Sequence, residues 1–239
     1  MQELRNIGKI LHFTGIEYWL RTLTAEYQKI EIKSLSENNI FLLCISGGKT
    51  PYPFYKYLTD NYYKSPPKNK NINIFLADER VIPLDDPNSN YGNLPMKWKG
   101  DFFATNFFNS NVDDLQHEVK EYEKKLIQII STQERTFLFD LIILGIGDDG
   151  HIASLFPASL ALFNNADLYT LNYVQNTIPV RLTITYKTIE NSKCIWILLI
   201  GQKKINLLKT LEKTNSNALP INRLINNVAY KLVWFALDI

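Results

Sequence analysis

The chain has 239 residues, 46% of them hydrophobic, which is enough for a sizeable core and too many for a disordered protein. Its formal charge of +2, from 26 basic and 24 acidic residues, is too balanced for a nucleic-acid coat or a membrane-surface patch. Residues 1–13 lack the pattern of a signal peptide, and no apolar run approaches the ~18 residues that a membrane helix needs. We therefore expect a cytoplasmic protein without nucleic-acid or membrane partners.

Apolar runs typical of strands alternate with segments of helical periodicity along the chain. We predict strands over residues 8–13, 40–45, 72–77, 138–145, 195–200 and 230–237. We predict helices that begin at Thr14, after Pro51, at Asp113–Asp114 and at residues 201–204, and a helix or turn near Tyr186. The segments 83–111 and 158–180 are predicted to be mostly irregular, and the first is predicted to contain one short helix.

The first predicted helix shows how these assignments are made. Thr14 stands three positions before Glu17, which is the spacing of a capping box. Trp19, Leu23 and Tyr27 then follow on one apolar stripe. Alternating strands and helices predict an α/β fold, with a Rossmann-like, mostly parallel sheet and helices on both faces. Since no repeat or linker is visible, we expect a single domain over residues 1–239.

Two cysteines and two of the three histidines are predicted to have structural environments. Cys44 and Cys194 lie in apolar runs without paired spacing, which favours buried free thiols over a disulfide. His12 lies in a predicted strand and is expected at the core or at a sheet edge. His117 lies opposite the apolar stripe of its helix and is expected to be solvated.

Four predicted strands end in polar, glycine-bearing or charged turns, at residues 46–50, 78–80, 145–151 and 201–204. The carboxyl ends of parallel strands share one edge of a sheet, where ligands bind in open α/β folds. Any one of these turns could serve only as a connection. Four turns with complementary chemistry favour a binding site at that edge.

The turn Ser46-Gly47-Gly48-Lys49-Thr50 has the composition of an anion site, because glycines let backbone N–H groups approach a phosphate. Its Gly-Lys-Thr resembles part of a nucleotide-binding P-loop. That motif requires glycine where Leu43 stands, and Pro51 follows immediately. The turn therefore favours a small phosphorylated metabolite over a nucleoside triphosphate.

The turn from Gly145 to Gly150 formally matches the dinucleotide fingerprint, but Asp148 and Asp149 would place negative charge beside a pyrophosphate. His151 follows, with Asp149 near enough in sequence to orient its ring. His151 is therefore a candidate general acid or base. The alternative is that His151 only caps its own turn. No second His or Cys stands at metal-ligand spacing, so we expect no metal. The charges of Asp148 and Asp149 argue against a nicotinamide or flavin cofactor, and we expect no cofactor.

Arg80 is the first candidate cation for an anionic ligand, since a guanidinium binds phosphate or carboxylate through two hydrogen bonds. The alternative is that Asp78, Glu79 and Arg80 form only a surface salt-bridge cluster. Arg181, Lys203 and Lys204 are further candidates, although any one alone is typical of a solvated surface charge.

Taken together, these motifs resemble those of the 6-phosphogluconolactonases, within the glucosamine-6-phosphate isomerase/6-phosphogluconolactonase family. The resemblance is carried by Ser46-Gly47-Gly48, Asp78-Glu79-Arg80-Val81, Ser89-Asn90-Tyr91, the block from Gly145 to Pro157, Arg181-Leu182-Thr183, Gly201 with Lys204, and Trp234-Phe235. It implies hydrolysis of 6-phospho-D-glucono-1,5-lactone to 6-phospho-D-gluconate, in the oxidative branch of the pentose phosphate pathway. It also implies a sugar-phosphate lactone as the small-molecule partner and a monomer or small homo-oligomer.

The resemblance also implies roles for individual residues. His151 takes a proton from the attacking water, Asp149 orients the imidazole, and Arg80 supports developing negative charge or the substrate hydroxyls. The implied substrate-binding residues are Gly47, Gly48, Lys49, Thr50, Asp78, Glu79, Ser89, Asn90, Arg181 and Lys204. Among these, the two glycines, Arg181 and Lys204 hold the phosphate, while Asp78 and Glu79 position Arg80 and the loop of Ser89 and Asn90.

The glucosamine-6-phosphate deaminases of the same family are the alternative enzymes, and a non-catalytic sugar-phosphate sensor is a third possibility. The deaminases have Asp-Glu-Tyr where this chain has Asp-Glu-Arg80, and a glutamate where it has Phe156. Both differences favour the lactonase. Asp148 stands where the lactonases usually have proline, which adds a charge beside the predicted catalytic turn.

Overall fold

The structure, a computed structural model, describes residues 5–65, 71–100, 103–132, 135–173, 179–213 and 218–239. Its strands are β1 (Lys9–Phe13), β2 (Phe41–Ile45), β3 (Ile72–Leu76), β4 (Asp78–Arg80), β5 (Ala104–Asn106), β6 (Leu141–Gly145), β7 (Tyr169–Asn172), β8 (Arg181–Ile184), β9 (Ile195–Ile200) and β10 (Leu232–Leu237). Its α-helices are α1 (Ile16–Asn38), α2 (Tyr52–Asn61), α3 (Leu115–Ser131), α4 (Tyr186–Glu190), α5 (Gln202–Lys213) and α6 (Pro220–Val228). Short 3₁₀ turns lie at Met96–Trp98, Leu160–Phe163 and Ala229–Lys231.

The main sheet has seven strands in the order β1-β10-β9-β6-β2-β3-β5, and every neighbouring pair is parallel. The inner strands β2, β6 and β9 are almost wholly apolar, as expected for strands that helices cover on both faces. The predicted α/β class with a mostly parallel sheet is confirmed.

Alternate residues of β2 divide the core into two layers. Leu43 and Ile45 pack with Trp19 of α1 and Phe54 of α2 on one face of the sheet. Leu42 and Cys44 face the other layer, which contains the apolar stripes of α3, α5 and α6. Helices therefore cover both faces, because successive side chains of a strand point to opposite sides.

A second, three-stranded antiparallel sheet, β4-β8-β7, is attached at the carboxyl end of β3. Its presence corrects the prediction that Asp78–Arg80 is merely a turn, since these residues form a strand of their own. The short strands β5 and β7 lie in the two segments predicted as mostly irregular. Residues 101–102 and 174–178 of those segments lie outside the described residues.

The predicted helix starts have mixed outcomes. Asp114 caps α3 by accepting a hydrogen bond from the His117 backbone N–H, as the sequence indicates. The capping box at Thr14 is wrong, because α1 begins at Ile16 and the extended residue Gly15 is its N-cap, without a side-chain hydrogen bond. Helix α6 was not predicted, although Pro220 stands at its first position and apolar residues follow at helical spacing.

Both cysteines are free thiols, as predicted, and the two remaining histidines lie as expected. Cys44 is buried, whereas Cys194 is only half-buried, and burial raises the pKa of Cys194 to about 11. His12 lies on the edge strand β1 and His117 is exposed on α3. Across the described ranges, no helix combines the length and apolar character that a bilayer-spanning segment requires.

Candidate active site

The chain order of the main sheet reverses between β2 and β6. From β2 the chain proceeds outward to β3 and β5, whereas β6, β9 and β10 lie on the other side. Ligands of open α/β sheets bind in the crevice at such a switch point. Here a cavity of about 200 Å³ opens at the carboxyl ends of these strands, lined by Ser46, Gly47, Gly48, Lys49, Thr50, Pro51, Asp78, Arg80, Asn90, Gly145, Ile146, Gly147, His151, Ala153 and Arg181.

The turn after β2 forms one wall of this cavity. Gly48 has φ +93°, in the left-handed region that favours glycine. A Cβ on Gly47 would lie 2.2 Å from Oδ1 of Asn90, so only glycine allows that side chain to approach. Helix α2 begins at Tyr52, directly after the turn, and its positive N-terminal end faces the same edge of the sheet. The wall can therefore accept an anion.

The turn after β6 forms the opposite wall and carries His151. The Gly147 N–H donates to the His151 carbonyl over 2.8 Å, which closes the turn. A Cβ on Gly147 would lie 2.1 Å from Nδ1 of His151, so the imidazole occupies the space that any other side chain would fill. The glycine spacing of this motif therefore positions the histidine ring.

Asp149 orients that ring. Its Oδ1 lies 2.6 Å from His151 Nδ1, and the same oxygen accepts the His151 backbone N–H over 3.2 Å. In the tautomer whose Nδ1–H donates to the carboxylate, Nε2 is left as an acceptor. In the described part of the chain, Nε2 has no hydrogen-bond partner, and the half-buried ring lines the cavity.

Two arginines form the third side of the cavity. Arg80 of β4 stands directly opposite Arg181 of β8 in the antiparallel register. The Nε atoms of both are buried and have no hydrogen-bond partner among the described residues, while Nη1 of Arg80 donates to the Asn88 carbonyl. Burial, and next the nearby Arg80, lower the pKa of Arg181. Like charges opposite each other destabilise a strand pair, so an anion between them would relieve a cost already present.

Glu79 lies beneath the cavity and organises the loop that follows β4. Its carboxylate is fully buried and accepts hydrogen bonds from the Ser89 hydroxyl and from the backbone N–H groups of Arg80, Asn90 and Tyr91. Burial raises the pKa of Glu79, and these hydrogen bonds oppose the shift. Glu79 and Ser89 thus hold the loop and do not line the cavity.

Asp78 lines the cavity and joins three elements. Its Oδ2 accepts the Ser154 hydroxyl over 2.7 Å, and its backbone carbonyl accepts the Asn90 side-chain amide over 2.8 Å. Asn90 in turn lies against Gly47. The loop after β4, the turn after β2 and the segment after His151 are therefore linked through Asp78 and Asn90.

Lys204, like Glu79 and Ser89, is a predicted binding residue that does not line the cavity. Its Nζ lies 2.5 Å from Oδ1 of Asp148, and the other oxygen of Asp148 binds the exposed Lys203. The two lysines lie at the rim of the cleft, beside the turn of His151. The fourth predicted turn, residues 201–204, is therefore connected to the site by an ion pair and does not form part of the cavity wall.

The remaining predicted residues either line the cavity or support a residue that lines it. Gly47, Gly48, Lys49, Thr50, Asp78, Arg80, Asn90, His151 and Arg181 line the cavity, while Asp149 supports it from behind the imidazole. Ser46 belongs to the predicted anion turn but was not among the predicted binding residues, and its buried hydroxyl lines the cavity without a hydrogen-bond partner in the described part of the chain. Its position directly after a buried strand was the available signal.

A second cavity of about 480 Å³ adjoins the first. The two share Gly47, Gly48, Lys49, Arg80 and Asn90, so Arg80 stands where they meet. Among the residues that the structure describes, no three His, Cys, Asp or Glu side chains are grouped so as to hold a metal ion.

Residues 18–234 match the family described as glucosamine-6-phosphate isomerases/6-phosphogluconolactonase. The chain belongs to this family. The resemblance inferred from the motifs is thereby confirmed, and the match spans both turns and both arginines of the cleft.

Several curated members of the family are similar to this chain. The 6-phosphogluconolactonase of Haemophilus influenzae is 34% identical over 182 residues, which are 74% of this chain and 76% of that protein. The 6-phosphogluconolactonase of Thermotoga maritima is 30% identical over 209 residues, which are 85% and 87% of the two chains.

Solved structures show the same fold. The crystal structure of the Thermotoga maritima 6-phosphogluconolactonase has a TM-score of 0.74 at 25% identity, and covers 97% of this chain and 100% of that one. The 6-phosphogluconolactonase of Trypanosoma brucei has a TM-score of 0.80 at 20% identity, with 97% and 96% covered. At that identity, the second likeness concerns the fold alone.

Proposed function

We propose that this protein hydrolyses 6-phospho-D-glucono-1,5-lactone to 6-phospho-D-gluconate. The observation that carries the proposal is the imidazole of His151, which Asp149 holds at 2.6 Å beside a cleft bordered by two arginines. The similarity to 6-phosphogluconolactonases at 34% and 30% identity supports the same reaction.

In the proposed mechanism, His151 is the general base. Its Nε2 takes a proton from a water molecule as the water oxygen attacks the lactone carbonyl carbon, and Asp149 stabilises the resulting imidazolium. The carbonyl becomes an oxyanion, which the guanidinium of Arg80 stabilises. When the intermediate collapses, the bond from the carbonyl carbon to the ring oxygen breaks, and that oxygen takes the proton from His151. A positioned general base typically contributes about 10²- to 10⁴-fold in rate.

The reaction as proposed uses no metal and no cofactor. A lactone is an activated ester, so a positioned water, a base and charge stabilisation are sufficient. In this proposal, His151 acts as the base and Arg80 stabilises charge, and both side chains line one cavity.

The phosphate of the substrate is proposed to bind between the turn after β2 and Arg181. The backbone N–H groups of Gly47 and Gly48 and the guanidinium of Arg181 are the donors on the cavity wall, and Lys204 reaches the phosphate from the rim. Charge-assisted hydrogen bonds of this kind are stronger than neutral ones.

Phe156 distinguishes this proposal from the deaminase alternative. Its ring lies against the His151 imidazole, with the centroids 4.4 Å apart. The deaminases are expected to have a glutamate at this position, and an aromatic ring cannot accept or deliver a proton. The local geometry therefore favours a histidine that works with water and Asp149 alone.

The test is acid release from freshly generated 6-phosphogluconolactone, with the spontaneous hydrolysis measured in parallel. We expect the wild-type protein to accelerate hydrolysis and His151→Ala to lose most of that acceleration. If the wild-type rate equals the spontaneous rate, the proposal fails. Release of ammonia from glucosamine 6-phosphate would establish the deaminase instead.

A further inference from the structure

The carboxylate of Asp148 forms ion pairs with two lysines at the rim of the cleft. Its Oδ1 lies 2.5 Å from Lys204 Nζ, and its other carboxylate oxygen binds Lys203. Asp148 directly follows Gly147, which lines the cavity, and precedes Asp149, which holds the catalytic histidine. The ion pairs are thus part of the same turn that carries the proposed base.

The two lysines differ in their surroundings. The side chain of Lys204 is 20% exposed, whereas that of Lys203 is 78% exposed. Lys204 is therefore largely enclosed where it meets Asp148, and Lys203 reaches the same carboxylate from solvent. Neither lysine lines the cavity while the pairs are formed.

A phosphate group that reaches Lys204 meets an ammonium that already has an anionic partner. The lysine pairs, Lys203 first, lower the pKa of Asp148 to about 2, so its carboxylate is charged throughout the neutral pH range. Anions that share one ammonium repel each other within the Debye length of about 8 Å at physiological salt. Binding the phosphate must therefore displace Asp148 from Lys204 or tolerate its negative charge nearby.

We propose that Asp148 competes with the substrate phosphate for Lys204 and so weakens binding of the phosphorylated lactone. Lys204 then has two alternative partners, the carboxylate of Asp148 in the free enzyme and the phosphate in the complex. Lys203 acts indirectly, since its contact with Asp148 reduces the hold of that carboxylate on Lys204. This inference rests on the proposed function, because it concerns the affinity of the same cleft.

The decisive variant is Asp148→Asn, which retains the shape of the side chain and removes its charge. We expect the KM for 6-phosphogluconolactone to fall by about three- to tenfold, as the loss of one like charge near a phosphate implies. We expect kcat to be unchanged, and the KM for unphosphorylated glucono-1,5-lactone to be unchanged as well. A KM that is unaltered or raised for the phosphorylated substrate overturns the proposal.

Asp60→Asn is the matched control. Asp60 forms an exposed ion pair with Lys56 in the last turn of α2, the end opposite the cleft, so the variant makes the same change of charge and loses the same kind of pair. We expect it to leave both KM values at the wild-type level. An equal fall in KM with Asp60→Asn would mean that overall charge, and not Asp148, is responsible.

The role assigned to Lys203 gives a second test. Lys203→Ala should raise the KM for the phosphorylated lactone by about twofold. Without Lys203, the carboxylate of Asp148 has Lys204 as its single partner and binds it more strongly. In the Asp148→Asn background the same substitution should have no effect, which a double-mutant cycle measures. If Lys203→Ala raises KM equally in both backgrounds, Lys203 contacts the phosphate itself and the indirect role is wrong.

Calorimetric titration with inorganic phosphate separates this inference from the proposed reaction. We expect Asp148→Asn to bind phosphate about three- to tenfold more tightly than the wild type, whether or not the lactone is the substrate. Absence of lactone hydrolysis by the wild type would refute the proposed function alone. Equal phosphate affinity of the two proteins would refute the competition alone.

Discussion

The rings of His151 and Phe156 lie against each other, with their centroids 4.4 Å apart and their planes inclined by 44°. The guanidinium of Arg181 lies over the same phenyl ring, 5.3 Å from its centroid. One aromatic side chain thus contacts both the proposed base and a proposed phosphate ligand. Because packing limits the rotation of each group, we expect Phe156 to act as a positioning residue for the cleft.

Replacing Phe156 with a charged residue should change the pH dependence of the reaction. In Phe156→Glu the new carboxylate favours the protonated imidazole, so the acid limb of the kcat/KM profile should move to higher pH. Phe156→Gln is the neutral control, which should lower kcat through lost packing without moving that limb. Identical profiles for the two variants would show that position 156 acts only through packing.

His151→Asn should lose at least ~100-fold in kcat, because the amide cannot accept the proton of the attacking water. The KM for the phosphorylated lactone should change little, since the phosphate ligands remain. His117→Asn is the matched control, because His117 is exposed on α3 away from the cleft. Steady-state kinetics of both variants check this, and a near-normal kcat for His151→Asn would reject the assignment of the base.

Lys204→Ala should raise the KM for 6-phosphogluconolactone and leave the kinetics of unphosphorylated glucono-1,5-lactone almost unchanged. The physical reason is that, in the proposed complex, the ammonium acts on the phosphate and not on the lactone carbonyl. The ratio of kcat/KM for the two substrates measures the effect. Equal losses on both substrates would contradict a role in phosphate binding.

Glu79→Gln should destabilise the loop after β4. The buried carboxylate accepts four hydrogen bonds, and an amide group would place N–H donors against some of the same N–H and O–H donors. We expect a loss of about 2 kcal/mol in the free energy of unfolding and faster amide exchange at Asn90 and Tyr91.

The control for Glu79→Gln is Glu17→Gln, which removes an exposed ion pair with Arg21 on α1. Surface pairs of this kind contribute roughly 0–1 kcal/mol, so the control should unfold almost like the wild type. Denaturant unfolding and hydrogen exchange measure both variants. Wild-type stability of Glu79→Gln would mean that the loop does not depend on the buried carboxylate.

Glu31→Gln should stabilise the protein at neutral and alkaline pH. Glu31 is buried on α1, and burial raises the pKa of its carboxyl, partly opposed by the hydroxyls of Tyr63 and Tyr62. A pKa that is raised in the folded state means that folding takes up a proton between the unfolded and folded pKa values. The stability contributed by this carboxyl therefore falls as the pH rises through that window.

Urea unfolding at pH 4 and pH 8 checks the sign of this effect. We expect Glu31→Gln to gain on the order of 1 kcal/mol over the wild type at pH 8, and this gain should shrink at pH 4, where the carboxyl is largely protonated in both states. Glu121→Gln, at an exposed position of α3, should show no such pH-dependent gain. A larger gain at pH 4 than at pH 8 would mean that folding lowers the pKa of Glu31 and does not raise it.

Elements with a local sequence pattern could be predicted before the fold was known. The apolar runs of β2, β6 and β9 are buried on both faces, and such burial leaves a continuous signal in the chain. The turn that carries His151 was also predictable, because Gly147 and Gly150 are required by contacts within a few residues or by a positive φ. The two glycines and the histidine form one local unit.

The pairing of segments that are distant in sequence could be seen only in the folded structure. It placed Asp78–Arg80 in a second sheet, where Arg80 stands opposite Arg181, and it brought Lys204 to Asp148 at the rim of the cleft. It also placed the carboxylate of Glu79 beneath the loop that it holds. Strand register and ion pairing depend on which surfaces meet after the core has formed, and the periodicity of a single segment carries no information about its partner.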